Sequence, residues 1–421
     1  MSASEQSSPD NRSIIDNVFN KSIFICIFTG FSSGLPLFFL YQLLPGWLRN
    51  EGVSLAEIGL FSLIGIPYVW KFIWSPAMDR YTLPFLGRRR GWMLVTQVAL
   101  LLSIAAFAYI DPAMSIWSVA YLAAAVAFFS ASQDIVLDAY RRELLTDQQL
   151  GLGNSVHVQA YRLSGLVPGS LGFILADHMP WSLVFLVIAA FMLIGIILTL
   201  CIKEAHIEAN PPKSLHDAVV LPFREFINRE GLKSALFILS FLFLYKLGDN
   251  MATALQTPFF IDLGFSNTEI GVIAKTASLV AMTVGLAVGG IIMIKLSINR
   301  ALWLFGFVQI ISILGFAALS VIGDNNIALA FAMGFEYLGV GLGTAAFTAY
   351  IAKNTNPTFA ATQFALFTAL TALPRTFANA STGFIVEQLG WTSFFFVCTA
   401  LAVPGMLMLF KVAPWHEKPN R

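Results

Sequence analysis

Nine charged side chains lie inside long apolar stretches of this chain, and their chemistry needs explaining first. The cations are Lys71, Arg162, Lys246, Lys275 and Arg375, and the acids are Asp134, Asp138, Asp249 and Glu336. A charge at the centre of a bilayer costs several kcal/mol unless it faces water or a partner, so such residues mark paths for protons, ions or solutes. Asp134 and Asp138 are four apart and share one helix face. Two carboxylates crowded in a poorly solvated site favour a proton on one of them, as a proton carrier requires. Asp138 with Arg141 also suits a structural anchor at a helix end. Lys246 and Asp249, three apart, form either a buried intrahelical pair or a site that opens during a cycle. Lys275 and Glu336 lie on different segments and suit a cross-helix pair. Arg162 and Arg375 stand at corresponding places, the second behind the kinking Pro374, and a guanidinium facing a cavity suits bidentate capture of a carboxylate. The reading assigns proton coupling to Asp134, Asp138, Asp249 and Glu336, and anion binding to Arg162, Lys246, Lys275 and Arg375.

Catalysis has no comparable signal. No Ser-His-Asp, His-Glu-x-x-His or Cys-x-x-Cys arrangement occurs, and Cys26, Cys201 and Cys398 all sit in apolar runs. Neither a metal nor a cofactor is therefore expected. His157 reads as a capping or hydrogen-bonding residue. The glycines of Gly30-Phe-Ser-Ser-Gly34 and Gly339-Val-Gly-Leu-Gly343 allow close helix approach and do not form a phosphate loop.

The elements that must position these charges follow from composition. Of 421 residues, 57% are hydrophobic and only 12% charged, with a net charge of +1 and a mean hydropathy of +0.74. A soluble domain carries about 25% charged residues, so half that share points to a membrane protein. The balance also excludes a basic nucleic-acid binder. A membrane-crossing helix needs about 20 apolar residues. That window gives twelve spans near 22–48, 54–76, 91–110, 115–140, 151–175, 181–202, 232–260, 267–294, 300–322, 326–351, 360–386 and 391–412. The first is read as an uncleaved span, since no small-residue cleavage site follows it. Nineteen Lys and Arg fall in the two tails and the even-numbered loops, against Arg49 alone in the odd-numbered loops. Positive charge stays inside, which puts both termini in the cytoplasm.

A polar connection carrying Pro211-Pro212 divides the spans six and six. The expected organisation is a tail (1–21), a six-helix half (22–202), a linker (203–231), a second half (232–412) and a short tail (413–421). Three matches at nearly constant offset relate the halves. Ser54-x-x-Glu57-Ile58-Gly59 recurs as Ser266-x-x-Glu269-Ile270-Gly271, Gly172-Phe-Ile-Leu-Ala-Asp177 as Gly383-Phe-Ile-Val-Glu387, and Trp181-Ser182 as Trp391-Thr392. Duplicated six-helix halves around a midplane site are a transporter architecture, and a complete pair of halves is expected to work as a monomer.

The loop after the second span reads Asp79-Arg80-Tyr-Thr-Leu-Pro-Phe-Leu-Gly87-Arg88-Arg89-Arg90. It resembles the signature loop of the major facilitator superfamily, with a longer insert between Arg80 and Gly87. That expanded form within Trp74-Ser-Pro-Ala-Met-Asp-Arg-Tyr resembles the AmpG-type muropeptide permeases. So do Ser130-Ala-Ser-Gln133-Asp134-Ile-Val-Leu-Asp138-Ala, Tyr245-Lys-Leu-Gly-Asp249, Gly343-Thr-Ala-Ala-Phe347 and Ala361-Thr-Gln-Phe-Ala-Leu366. The resemblance implies an all-α membrane protein with the twelve-helix major facilitator fold. It implies proton-driven import of N-acetylglucosaminyl-anhydromuramyl peptides across the bacterial inner membrane, for peptidoglycan recycling linked to β-lactam resistance. It also adds Gln133 to the substrate-binding residues and makes Asp79, Arg80, Gly87, Arg88, Arg89 and Arg90 a conformational latch, expected to pair with carboxylates such as Asp138. A carrier of another anionic solute, of peptide, sugar or acyl-CoA type, and a membrane-embedded lipid-handling protein are the competing readings.

Overall fold

A computed structural model describes residues 20–146, 149–204, 224–355, 367 and 370–416. Within them every regular element is helical. In chain order the rods are α1 (Lys21–Asn50), α2 (Leu55–Trp70), α3 (Arg88–Tyr109), α4 (Ile116–Leu144), α5 (Leu150–Ser164, continued through Gly172–Ala176) and α6 (Trp181–Cys201). The second set is α7 (Leu232–Asp262), α8 (Asn267–Lys295), α9 (Ile298–Ile322), α10 (Asn326–Lys353), α11 (370–389) and α12 (391–412). Gly390 separates the last two at φ 76°, a left-handed conformation that suits glycine.

Nine helical runs among the described residues are long and apolar enough to cross a membrane, with α11 and α12 counted as one. The two remaining rods deviate for visible reasons. α2 holds Pro67 and is broken by a tight turn at Phe61–Gly65, and a second turn, Lys71–Ile73, separates it from a short helix, Ser75–Arg80. α5 carries Asn154, Ser155, His157, Gln159 and Arg162, too polar a face for a simple span. Where described, the rods match the twelve expected spans to about a turn. The Ala361–Leu366 motif, the first residues of the eleventh span, most of the linker and both outer tails lie outside the described residues.

Local sequence sets the helix starts. Ser54 and Glu57 form a complete capping box on α2, and Ser266 and Glu269 form the same box on α8. Asn20, Ser115, Ser297 and Asn325 cap α1, α4, α9 and α10 with side-chain oxygens. Four helices also carry a single wide π-turn: Phe39–Leu43 in α1, Val167–Leu171 in α5, Ile270–Ala274 in α8 and Pro374–Ala378 in α11. Such bulges are rare and recur at functional sites.

The apolar core is asymmetric along the bundle axis. One cluster joins both sets of six helices, from Phe39, Trp47, Phe107 and Phe185 to Phe259, Phe316 and Phe395. It occupies the end of the bundle remote from the Arg-rich loop. Toward the other, basic end the core splits. Ile25, Met78, Met93, Val136 and Tyr140 pack within the first six helices, and Ala235, Phe241, Leu302, Phe347 and Tyr350 within the last six. Among the described residues, the two halves therefore share one core at the remote end and have separate cores at the basic end.

Candidate functional site

Between the halves, at mid-depth, lies a cavity of about 330 Å³. Arg162 from α5 and Arg375 from α11 both line it, together with Asp249 and Asn250 from α7. The Arg375 guanidinium lies 3.9 Å from the Tyr41 ring centroid, a cation–π contact that orients it without neutralising it. Neither arginine has an ion-pair partner among the described residues, so the wall carries two positive charges available to an anion. A smaller recess of about 90 Å³ is lined by Lys275, Gln42 and Arg162 among others. The bulges fall at these places: Tyr41 and Gln42 lie in one, Arg375 in another, and Lys275 directly follows a third.

The acids divide into two groups. Lys246 Nζ donates to Asp249 Oδ2 at 3.4 Å, and both residues are buried. Glu336 of α10 is 0% exposed and accepts from Ser312 Oγ at 2.7 Å. Asp249 Oδ1 and Glu336 Oε1 are both buried without a donor, and the two residues lie in one buried cluster with Lys246. A proton held between them would satisfy both orphan oxygens. The charge balance agrees: one ammonium against two carboxylates leaves one negative charge for one proton to cancel. Glu336 thus faces Asp249 and Lys246, not Lys275. The expected Lys275–Glu336 pair is absent, because the α8 bulge precedes Lys275 and the ammonium side of α8 meets α1 and α5.

Asp134 sits between α1 and α4, where Ser33 Oγ donates to it at 2.6 Å, and Lys71 is its principal neighbouring cation. Asp138 is 54% exposed and pairs with Arg141 at 2.9 Å, the anchor geometry. Gln133 is fully buried; its Nε2 donates to Ser32 O at 2.8 Å and ties α4 to α1, away from the cavity walls. His157 meets Thr29 Oγ1 at 3.3 Å, another α1–α5 packing contact.

The Arg-rich loop pairs with a carboxylate at the end of α4, as expected, but with Glu143 in place of Asp138. Arg89 Nη2 donates to Glu143 at 2.7 Å and Arg88 Nη2 to the same oxygen at 3.1 Å. Glu204 accepts the backbone N–H groups of Arg89 and Arg90 at the start of α3, at 2.6 and 3.1 Å, where a helix N-terminus favours an anion. Gly87, at φ 89°, turns the chain into that start. The acceptors are Glu143 and Glu204, not Asp138, whose charge is taken by its own i+3 arginine. The Asp79 and Arg80 side chains lie outside what the structure describes.

At the remote end, three acids reach across the halves. Asp177, closing α5, accepts from Asn267 Nδ2 at 3.0 Å and from Thr268 N at 2.6 Å, at the start of α8. Glu387, closing α11, accepts from Ala56 N at 2.9 Å, at the start of α2. Arg49 pairs with Asp262 at 2.5 Å, and Asn50 with Asn267 at 2.9 Å.

Comparison with known proteins places this architecture. The model of the Major Facilitator Superfamily matches residues 26–379. The chain belongs to the major facilitator superfamily. Its fold agrees: a solved nucleoside transporter superposes with a TM-score of 0.71 at 13% identity, covering 93% of this chain and 99% of that one. A D-xylose–proton symporter gives 0.71 at 12% identity, covering 96% and 98%. Among major facilitator relatives, an anhydromuropeptide permease of Escherichia coli is 43% identical over 91% of this chain and 78% of its own. An uncharacterised protein of Haemophilus influenzae is 47% identical over 98% and 99%. The superfamily match and the identity to a permease make the chain a multi-pass membrane transporter, not an enzyme.

Sequence reasoning found the charges and missed the neutral groups around them: Tyr41, Gln42, Tyr161, Asn250, Tyr337 and Asn379. It also missed Glu143 and Glu204, although acids at span ends beside an Arg-rich loop are a usable signal.

Proposed function

We propose that this transporter imports anhydromuropeptides across the bacterial inner membrane, driven by a proton gradient, through alternating access as a monomer. The observation that carries the cargo assignment is 43% identity to an anhydromuropeptide permease over 91% of the chain. The cavity supports it. Muropeptides combine carboxylates with sugar hydroxyls and amides, and Arg162 and Arg375 stand among Tyr, Asn and Gln side chains. The Lys and Arg distribution supports cytoplasmic termini, which makes the basic end cytoplasmic and the remote end periplasmic. On that orientation the structure is an inward-facing state.

Coupling is assigned to the Lys246–Asp249–Glu336 cluster. Asp249 belongs both to the cluster and to the cavity wall, so loss of its shared proton changes the charge that the cargo meets. Asp134, bonded to α1, is a second candidate carrier, and the Arg88–Arg89–Glu143 cluster stiffens the basic end of the first half.

Proteoliposomes given labelled anhydromuropeptide test this directly. An inwardly favourable pH gradient of one unit is expected to accumulate cargo about tenfold for one proton carried, and a protonophore is expected to remove the accumulation. Equilibration without accumulation would reject proton coupling; no uptake at all would reject the cargo.

A further inference from the structure

Lys275 is a buried cation with no counter-ion among the described residues. It is 5% exposed, and no carboxylate pairs with it among the described residues. Its surroundings are a constructed recess. The π-bulges of α1, α5 and α8 converge there, because widening each helix by one residue brings Gln42, Gly169 and Lys275 together. Gly169 leaves this point open: a methyl group there would displace the Gln42 amide and approach Lys275 Cε to 3.2 Å. Gln42 Oε1 is itself buried without a donor. The recess holds about 90 Å³ and shares Gln42 and Arg162 with the large cavity.

A buried ammonium without a partner is costly and is tolerated where a ligand completes it. The recess is too small for a sugar ring with its substituents, yet roomy enough for one carboxylate and its carbon. Ammonium, guanidinium and an amide that can present its N–H side are the groups that bind carboxylates.

We infer that the Lys275–Gln42–Arg162 recess is a carboxylate subsite, which takes a carboxyl group of the cargo's peptide stem and leaves the sugar in the large cavity. This rests on the proposed cargo and adds where its charged end binds. The subsite makes the transporter selective for acidic over amidated stems.

The test compares equilibrium binding of an anhydromuropeptide with that of the same molecule amidated at its stem carboxyls, in detergent, by calorimetry. The native protein is expected to prefer the free acid by about 30-fold or more. Lys275→Met should bind the acid no better than the amide, and Lys275→Arg should keep most of the preference. Lys275→Met should melt no lower than the native protein, since it removes an uncompensated buried charge, and that control separates lost recognition from lost folding. Full preference retained by a folded Lys275→Met protein would overturn the subsite. Failure of the native protein to bind either form would overturn the cargo assignment itself, and the subsite with it.

Discussion

At the residue scale, the outcome turns on which charges have partners. Asp249 and Glu336 lie buried in one cluster with Lys246, and Asp249 also lines the cavity. An ionised acid at this depth costs about 3 kcal/mol or more, and one proton on the two acids would bring their cluster with Lys246 to zero net charge. Asp249→Asn and Glu336→Gln are each expected to drop accumulation under a one-unit pH gradient from about tenfold to about onefold, while cargo exchange at equal pH continues. Accumulation retained by both variants would remove the pair from coupling. Sequence alone nominated both acids but gave Glu336 the wrong cation. Depth can be counted from a span end, whereas the direction of a side chain depends on bulges that no composition reveals. The same reason hid Tyr41, Gln42 and Tyr337: neutral polar residues are common in spans, and only helix rotation selects those that face the cavity.

At the element scale, the repeated motifs acquire a physical meaning. The Ser-x-x-Glu-Ile-Gly starts of α2 and α8 and the Gly-Phe-Ile ends of α11 and α5 are the two sides of one interface, used twice. Asp177 of α5 caps the start of α8, and Glu387 of α11 caps the start of α2. Glycine closes the gap, since a methyl at Gly383 would overlap the Leu55 carbonyl. The repeat was legible in the sequence, but its crossed pairing was not. Burial alone would raise the Asp177 carboxyl, yet bonds from Thr268 and Asn267 hold it below its ordinary 3.8. A group with a lower value when the end is closed favours closure above its released value, and loses that effect only as pH falls through the lowered one. The closed end should therefore be unchanged from pH 8 to about 5 and loosen only below the ordinary carboxylate range. Asp177→Asn with Glu387→Gln should loosen it at neutral pH, shifting the population about fivefold per bond, at about 1 kcal/mol each. Distances between spin labels at Glu51 and Asp324 report both effects; an unchanged distribution in the double variant would dismiss the caps as closures.

At the scale of the whole molecule, the fold class followed from apolar run length, while the state of the bundle did not. It depends on small differences between two packings of one sequence. The shared core at the remote end, with its Arg49–Asp262 and Asn50–Asn267 contacts, defines one of those packings. Transport by alternating access requires this weld to break in every cycle. A chain without native cysteines, carrying Asn50→Cys and Asn267→Cys joined by a short thiol cross-linker, should lose net uptake by tenfold or more. It should still bind cargo offered from the basic end, because the 330 Å³ cavity and its arginines remain as they are in the closed-end structure. Cleaving a reducible linker should restore uptake. A cross-linked protein that transports at the normal rate would mean that the remote end does not open, and that cargo enters by another route.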